Sequence, residues 1–261
     1  KVGYVHFLPE TIEGSLNLPS FAKKIFYKYM ISFYKRMDQI VVVNPIFGKK
    51  LENYGIDADR ITYIPNFVSK KEFYSESQDK KEKMRRKLGI PADKFTVIGV
   101  GQVQERKGVP DFIELAKRHP EIQFIWVGGF SFGKMTDGYN ELKRVVDQPP
   151  ANLMFPGILD RNEMNDYYNV ADLFLLPSFN ELFPMSILEA FSVGLPVMVR
   201  DLDLYHSIIN GYYLGTKDVD EMDEQLTLLQ HDQAKLSQLK DQARAGAEYY
   251  SEERLAKIWL D

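Results

Sequence analysis

Short apolar runs alternate with longer amphipathic runs along the chain from residue 95 onward. Short, continuously apolar runs are typical of strands that are buried on both faces of a parallel sheet, and the amphipathic runs have the spacing of helices that cover such a sheet. The alternation therefore predicts an α/β fold with βα units around an open, doubly wound sheet. The predicted strands are Phe95–Val100, Ile122–Val127, Asn152–Phe155, Leu173–Leu176 and Pro196–Val199, and the predicted helices are Val109–Arg118, Tyr139–Asp147, Arg161–Asn169 and Met185–Val193.

The beginning of the chain predicts a second, smaller unit. Val2–Leu8 and Gln39–Val43 have the composition of strands, with a basic, aromatic helix expected between them from about Ser20 to Arg36. Lys1 is not a methionine and leads directly into the first of these strands, so we expect an amino-terminally truncated chain. The expected division is a tail of an amino-terminal domain at 1–67, a Rossmann-like domain at 68–245, and a terminal helix at 246–261 that crosses back to the first domain.

Composition restricts the classes of function. Hydrophobic residues make up 44% of the 261 positions, which is typical of a folded protein, and the formal net charge of −4 disfavours a nucleic-acid partner. The absence of cysteine excludes disulfides and thiolate metal sites and is compatible with the cytoplasm. We find neither a secretory signal nor an apolar run of the ~20 residues that a membrane helix needs.

Two acidic side chains follow the predicted strand Leu173–Leu176. Glu181 is expected in the loop at the carboxyl end of the strand, where open α/β sheets bind ligands, and Glu189 about one turn into the next helix. The start of that helix offers free backbone amides to a phosphate, and carboxylates accept hydrogen bonds from sugar hydroxyls. The segment thus favours a sugar-diphosphate site, although this spacing alone is also typical of a solvated helix face.

A second loop with suitable chemistry is Gly101–Gly108, which again follows a strand and precedes a helix. Lys107 and Arg106 could neutralise a diphosphate leaving group in place of a metal ion. Taken singly, a lysine before a helix is usually a surface charge. Two loops suited to anions at the strand ends of one sheet favour a diphosphate-binding site over a surface charge.

These segments carry a family resemblance. Glu181 and Glu189 resemble the Glu-x7-Glu motif of the family 4 retaining glycosyltransferases, Glu189–Val197 resembles the run that follows it, and Asp172–Ser178 resembles the strand before it. Ile64–Val68 resembles the interdomain segment of the same family. The resemblance covers nearly the whole chain and implies the GT-B fold, in which two Rossmann-like domains face each other.

The resemblance also implies a role for each matched residue. The expected catalytic residues are Glu181, which would contact hydroxyls of the donor hexose, Lys107, which would hold the diphosphate, and His6, which would lie near the donor phosphate and sugar. Spacing alone indicates a core or surface histidine at His6. The remaining donor-binding residues would be Gly101, Gln102, Arg106, Gly157, Ile158, Leu159, Phe183, Met185, Ser186 and Glu189, of which the last would hold the ribose hydroxyls.

The sequence departs from the family pattern at two positions. Gln102 stands where the family has an arginine, which removes one charge near the diphosphate and leaves Arg106 as a substitute. Pro184 stands where a glycine is usual, which removes one amide donor. Asp201 and Asp203 form the D-x-D pattern of metal-dependent enzymes, but the resemblance implies cationic side chains and amides instead, so no metal and no cofactor are expected.

The acceptor is the least constrained part of the sequence. Phe21–Arg36 combines five basic residues with an aromatic face, as interfacial membrane helices do, although an ordinary packed helix explains it as well. The segments Gln104–Gly108 and Glu181–Glu189 resemble the corresponding motifs of bacterial diacylglycerol glycosyltransferases. We therefore expect transfer of glucose or galactose from a UDP-sugar to diacylglycerol or glycosyl-diacylglycerol by a peripheral enzyme at the inner face of the cell membrane. The alternatives are a soluble or polysaccharide acceptor, a nucleotide-sugar epimerase, and a donor-binding module without transfer.

Overall fold

Two parallel β-sheets organise the chain. The computed structural model describes residues 1–5, 8–9, 19–131, 133–136 and 138–260, and within these ranges it contains a three-stranded and a six-stranded sheet. The smaller sheet has the order β1-β2-β3 and the larger one the order β6-β5-β4-β7-β8-β9. The strands are β1 (Val2–Val5), β2 (Gln39–Val42), β3 (Ile61–Tyr63), β4 (Thr96–Val100), β5 (Gln123–Val127), β6 (Leu153–Gly157), β7 (Leu173–Leu176), β8 (Val197–Arg200) and β9 (Leu214–Thr216).

Helices connect successive strands, as the alternation of the sequence predicts. They are α1 (Ser20–Lys35), α2 (Pro45–Asn53), α3 (Gln78–Leu88), α4 (Val109–Arg118), α5 (Tyr139–Asp147), α6 (Arg161–Val170), α7 (Met185–Ser192), α8 (Asp203–Ile208), α9 (Val219–Leu229), α10 (Gln233–Tyr249) and α11 (Glu252–Leu260). The strands and helices predicted from residue 95 to residue 200 are confirmed, with bounds shifted by at most two residues. The expected α/β fold with a doubly wound parallel sheet is confirmed, whereas the short elements α8 and β9 were not predicted.

The larger sheet has the strand order of a dinucleotide-binding fold. Numbered along the chain from β4, its strands follow the order 3-2-1-4-5-6, so the direction of winding reverses between β4 and β7. These two strands pair through Val97 with Leu173 and Ile98 with Phe174. Their last residues lie beyond this ladder, and the loops that follow them therefore border a crevice at the carboxyl edge of the sheet.

Helices on both faces bury the central strands almost completely. Every residue of β5, β7 and β8 is buried, which explains why the sequence shows them as continuous apolar runs. On one face, Phe112 of α4 meets Phe124 and Trp126 of β5 edge to face, with ring centroids 5.3 and 5.0 Å apart. This packing fixes α4, and with it the loop between β4 and α4.

The smaller sheet has a hydrophobic core of its own, which touches the larger unit. Met30 and Tyr34 of α1 pack into this core, and Leu182, from the loop after β7, packs against it from the other unit. The fully buried Asn44 caps α2 by accepting a hydrogen bond from the Ile46 amide at 2.9 Å. The Asn44 side-chain nitrogen also lies 3.5 Å from the carbonyl oxygen of Leu182. The loop that carries Glu181 therefore lies at the junction of the two units.

The chain after residue 218 is helical, as predicted. The side chain of Asp218 caps α9 by accepting hydrogen bonds from the amides of Asp220 and Glu221 at 3.1 and 3.0 Å. The expected domain boundary after residue 245 falls inside α10, and the helix interruption comes at residues 250–251. The domain division itself stays a prediction. Among the described residues, no helix is both long and apolar enough to span a bilayer.

We predict that Gly108→Ala destabilises the protein more than Gly89→Ala does. Both glycines have φ 71° and ψ 22°, so the backbone strain of an alanine is the same at each, about 1 kcal/mol. A Cβ atom at Gly108 would lie 2.1 Å from the carbonyl oxygen of Pro177, whereas one at Gly89 meets nothing within 4 Å.

The expected loss of unfolding free energy is about 2–5 kcal/mol for Gly108→Ala, measured by urea denaturation. Equal losses for the two variants would show that the backbone at Pro177 moves away from Gly108 at no cost, which would contradict a tight contact between the two loops.

Candidate functional site

The loops that carry the predicted site residues meet at one edge of the larger sheet. Lys107 ends a short 3₁₀ turn, Glu105–Lys107, between β4 and α4. Glu181 lies in the loop between β7 and α7. Because β4 and β7 are neighbours and parallel, both side chains emerge at the carboxyl edge beside the crevice.

Lys107 and Glu181 form an ion pair. The Nζ atom of Lys107 lies 2.6 Å from Oε1 of Glu181, and the two side chains are 14% and 5% exposed. A charge removed from water to this extent needs a partner, because its desolvation costs several kcal/mol. The two charges of the ion pair neutralise each other. Either side chain must therefore leave the pair before it can bind a ligand.

Glu189 is held in a similar way. Its Oε2 atom accepts a hydrogen bond from the Tyr168 hydroxyl at 2.6 Å, and its Oε1 atom lies 3.2 Å from the guanidinium of Arg161. Burial and the neighbouring charge of Glu189 raise the pKa of Tyr168 well above its usual value, so the phenol stays a proton donor. Arg161 also pairs with Glu72 at 2.7 Å and lies over the ring of Phe73. The orientation of the Glu189 carboxylate is therefore fixed from two sides.

Arg106 holds the loop after β7. Its guanidinium donates to the carbonyl of Asn180 at 2.6 Å, and its own carbonyl accepts from the Phe179 amide at 2.9 Å. Gln102, the residue at the position of the family's arginine, accepts a hydrogen bond from the side chain of Gln104 at 2.9 Å. The structure thus gives Arg106 a neighbour in the backbone of the Glu181 loop, and its role as a substitute charge for the diphosphate stays a prediction.

The amino end of α7 faces the same crevice. Pro184 occupies the position before the helix, and Met185 and Ser186 begin it, so their N–H groups precede any intrahelical acceptor. Phe183 is buried and packs edge to face on Tyr250, with ring centroids 5.6 Å apart. The first turn of α7 therefore supplies fixed backbone donors beside Glu181.

The loop after β6 forms the outer border of the site. Gly157 ends β6, and its carbonyl accepts from the amide of Gly128 at 2.9 Å. Ile158 is 74% exposed, and Leu159 is partly buried. Arg161 follows this loop directly as the first residue of α6 and reaches Glu189, so the loop after β6 and the helix after β7 are joined by an ion pair. Gly101 lies between them, bonded through its amide to the carbonyl of Val127 at 2.9 Å.

His6 lies outside the described residues. Asp201 of the D-x-D pattern accepts hydrogen bonds from the Tyr213 hydroxyl at 2.7 Å and from the His206 ring at 3.0 Å. Within the ranges that the structure describes, no three His, Asp or Glu side chains come together as a metal site.

Three buried polar atoms near the crevice lack a hydrogen-bond partner in the described part of the chain: Gln104 Oε1, Arg106 Nε and the Tyr205 hydroxyl. Tyr205, on α8, is fully buried, and burial together with the negative charge of Glu181 raises the pKa of its hydroxyl well above the usual value. Unpaired buried polar groups are rare in native proteins, and each one calls for an explanation such as a catalytic role or a bound water or ion. Sequence reasoning missed Tyr205, Tyr168 and Arg161, because each lies in a segment without a motif.

Comparisons with known proteins agree with this geometry. The sequence matches the family described as glycosyl transferases group 1 over residues 80–246. It is 52% identical to the alpha-galactosylglucosyldiacylglycerol synthase of Streptococcus pneumoniae, over 100% of this chain and 70% of that protein. It is 28% identical to the processive diacylglycerol alpha-glucosyltransferase of Acholeplasma laidlawii, over 69% of this chain and 53% of that protein.

Solved structures support the fold. Anabaena HepE in complex with UDP and glucose superposes with a TM-score of 0.82 at 18% identity, over 100% of this chain and 71% of that one. Sucrose-phosphate synthase from Thermosynechococcus elongatus superposes with a TM-score of 0.81 at 19% identity, over 99% and 65%. The chain belongs to the group 1 glycosyl transferases, and the expected GT-B fold and glycosyltransferase class are confirmed.

We predict that Tyr168→Phe lowers the free energy of unfolding by about 1–3 kcal/mol, because it leaves the buried Glu189 carboxylate without one of its two donors. Tyr167→Phe is the matched control. Tyr167 is the adjacent, buried tyrosine of α6, and its hydroxyl makes no hydrogen bond to any residue that the structure describes.

Urea denaturation at neutral pH measures both variants, and the control is expected to change stability by less than about 0.5 kcal/mol. If Tyr168→Phe were as stable as the control, the contact between Tyr168 and Glu189 would not fix the carboxylate.

Proposed function

We propose that the protein is a retaining hexosyltransferase that moves glucose or galactose from a UDP-sugar to a membrane glycolipid acceptor, diacylglycerol or glycosyl-diacylglycerol. The observation that carries the proposal is the buried pair of Lys107 and Glu181 at the point where the winding of the sheet reverses. A lysine and a carboxylate side by side match the two halves of a sugar diphosphate, one anionic and one rich in hydroxyl groups.

Donor binding proceeds by exchange of partners. Lys107 leaves the Glu181 carboxylate for the diphosphate, and Glu181 accepts hydrogen bonds from the sugar hydroxyls that arrive with it. Lys107 keeps an anionic partner in this exchange, and the Glu181 carboxylate keeps hydrogen-bond donors. The first N–H groups of α7 add donors for the phosphate at a helix amino terminus. As the bond from C1 of the sugar to the diphosphate breaks, the acceptor hydroxyl bonds to C1 on the same face and its proton passes to the departing diphosphate oxygen. Lys107 and these amides stabilise the charge that develops on the leaving UDP.

The nucleoside half of the donor lies toward α6 in this proposal. Glu189 accepts hydrogen bonds from the ribose hydroxyls, and its carboxylate is held for this task by Tyr168 and Arg161. The loop of Gly157, Ile158 and Leu159 borders the base, and the exposed Ile158 offers it an apolar surface. The cationic and amide groups supply the charge stabilisation, and no metal or cofactor is proposed.

The acceptor class rests on relatives. The names of the Streptococcus pneumoniae and Acholeplasma laidlawii proteins denote enzymes of diacylglycerol glycolipids with alpha-linked sugars. The 52% identity to the first covers this whole chain, including the smaller unit that faces the donor site. A lipid acceptor requires contact with a membrane, so we propose a peripheral enzyme at the cytoplasmic face of the cell membrane.

The decisive experiment measures UDP release by the protein with UDP-glucose, UDP-galactose and GDP-mannose, each with and without glucosyl-diacylglycerol vesicles. The proposal requires release from a UDP-hexose that depends on the lipid, with an alpha-linked glycolipid as product. Release with a rearranged sugar and no acceptor would indicate an epimerase. Calorimetric donor binding without release would indicate a binding module, and transfer to soluble sugars alone would overturn the lipid acceptor.

We predict that Glu181→Gln lowers the rate of transfer by about 100-fold while UDP binding changes by less than about tenfold. The amide still accepts a hydrogen bond from Lys107 but holds the sugar less strongly, whereas the diphosphate contact of Lys107 is retained. Glu141→Gln, at an exposed position of α5 away from the crevice, is the control and is expected to retain full activity.

Radiolabelled transfer and calorimetry with UDP separate the two effects. Unchanged transfer by Glu181→Gln, with the fold intact by circular dichroism, would refute the proposed role of Glu181.

A further inference from the structure

The outer face of α1 carries a row of large apolar side chains in contact with solvent. Phe21, Ile25 and Tyr29 follow one another at intervals of four residues and are 70%, 66% and 69% exposed. Phe33 continues the row and is 47% exposed, and Phe26 beside it is 43% exposed. Residues four apart lie next to each other on a helix, so these side chains form one continuous apolar stripe. Exposed stripes of this size are typical of interaction surfaces.

A row of cations runs along the stripe. Lys24, Lys28 and Lys35 are exposed and lie on one side of it, and Arg36 follows at the end of the helix. The segment Ser20–Lys35 contains four lysines and no acidic residue, in a protein whose formal net charge is −4. The positive charge is therefore concentrated beside the apolar stripe, which matches an anionic partner.

The inner face of α1 is fixed, so the stripe cannot turn inward. Met30 and Tyr34 are buried in the core of the smaller sheet, at 7% and 4% exposure. They lie on the side of the helix opposite Phe21 and Ile25, as their spacing in the sequence requires. Rotation of the helix to hide the stripe would expose these two side chains instead.

The position of α1 brings the stripe near the donor site. The helix ends beside the amino edge of the smaller sheet, where the amide of Asp38 donates to the carbonyl of Lys1 at 2.8 Å. Because β1 and β2 are parallel neighbours, α1 runs back from the carboxyl edge of the sheet toward the amino edge, and its 16 residues extend about 24 Å. At the carboxyl edge Asn44 meets the carbonyl of Leu182, next to Glu181.

We propose that the outer face of α1 docks on the surface of an anionic lipid bilayer. The aromatic and aliphatic side chains enter the boundary between head groups and acyl chains, and the lysines lie at the lipid phosphates. The choice of a lipid partner rests on the proposed function, because an acceptor held in a membrane must be reached from its surface. Docking through α1 would place the carboxyl edge of the smaller sheet, and with it the donor crevice, close to the head groups.

The first test removes the apolar contacts. Binding to phosphatidylglycerol vesicles without glycolipid is measured by co-sedimentation for the protein and for the variant Ile25→Ser/Tyr29→Ser. The control is Leu228→Ser/Tyr74→Ser, which removes one aliphatic and one tyrosine side chain at exposed positions outside α1, 58% and 43% exposed. We predict at least a tenfold weaker vesicle affinity for the α1 variant and an unchanged affinity for the control.

The second test reverses charge. Lys24→Glu/Lys28→Glu places two acidic residues one turn apart on α1, and Lys83→Glu/Lys87→Glu does the same at exposed positions of α3. We predict that the α1 variant loses binding to phosphatidylglycerol vesicles and that the α3 variant keeps it. Binding of the unaltered protein should weaken in high salt and on phosphatidylcholine vesicles, because the attraction depends on charge.

The vesicle measurements test membrane docking through α1 independently of UDP binding and sugar transfer. Vesicle affinity of both α1 variants equal to that of the unaltered protein would overturn the docking of α1, and so would equal losses in the controls. Dimerisation that Ile25→Ser/Tyr29→Ser abolishes, measured by sedimentation velocity without lipid, would assign the face to a second copy instead. Calorimetric UDP binding and transfer to a detergent-dispersed acceptor report the proposed function alone, and the α1 variants should retain both.

Discussion

The adjacency of β4 and β7 is the constraint on which the site depends. Winding of the sheet proceeds outward from these two strands in opposite directions, so no helix crosses over the gap between their carboxyl ends. The loops that follow the two strands therefore meet there, one bringing Lys107 and the other Glu181. Gly108 and Arg106 tie these loops together further, through close contact with Pro177 and a hydrogen bond to Asn180.

The electrostatics of the crevice follow from this arrangement. Two acidic side chains are buried there, and each has a cation in contact: Lys107 for Glu181, and Arg161 for Glu189. The two pairs differ in exposure, since the Lys107 side chain is 14% exposed and the Arg161 side chain 57%. A buried lysine must keep an anionic partner, whereas a solvated arginine can move at small cost. Lys107 thus strongly requires an anion in the crevice, whereas the side chain of Arg161 can change its position at little cost.

Much of the larger unit could be predicted because strands covered on both faces leave an unbroken apolar signal, as in Leu173–Leu176. The three residues of β9 and the six residues of α8 are too few to show a hydrophobic period, so neither element could be predicted. The motif predicted that Glu181 and Glu189 belong to one site, but the partners of these carboxylates depend on how separate loops pack. Tyr168 lies 21 residues from Glu189 in sequence, and the spacing of apolar residues around it is that of any buried helix position.

One side chain at the junction between the two units serves two purposes. Asn44 caps α2 through a hydrogen bond of 2.9 Å, while its contact with Leu182 is 3.5 Å and that with Ser207 is 3.4 Å. Bonds of the latter length are weak. Among the contacts of Asn44, a hinge motion that widened the gap between the units would therefore break the two long ones and leave the helix cap intact. Substrate could then enter and product depart without any helix unwinding.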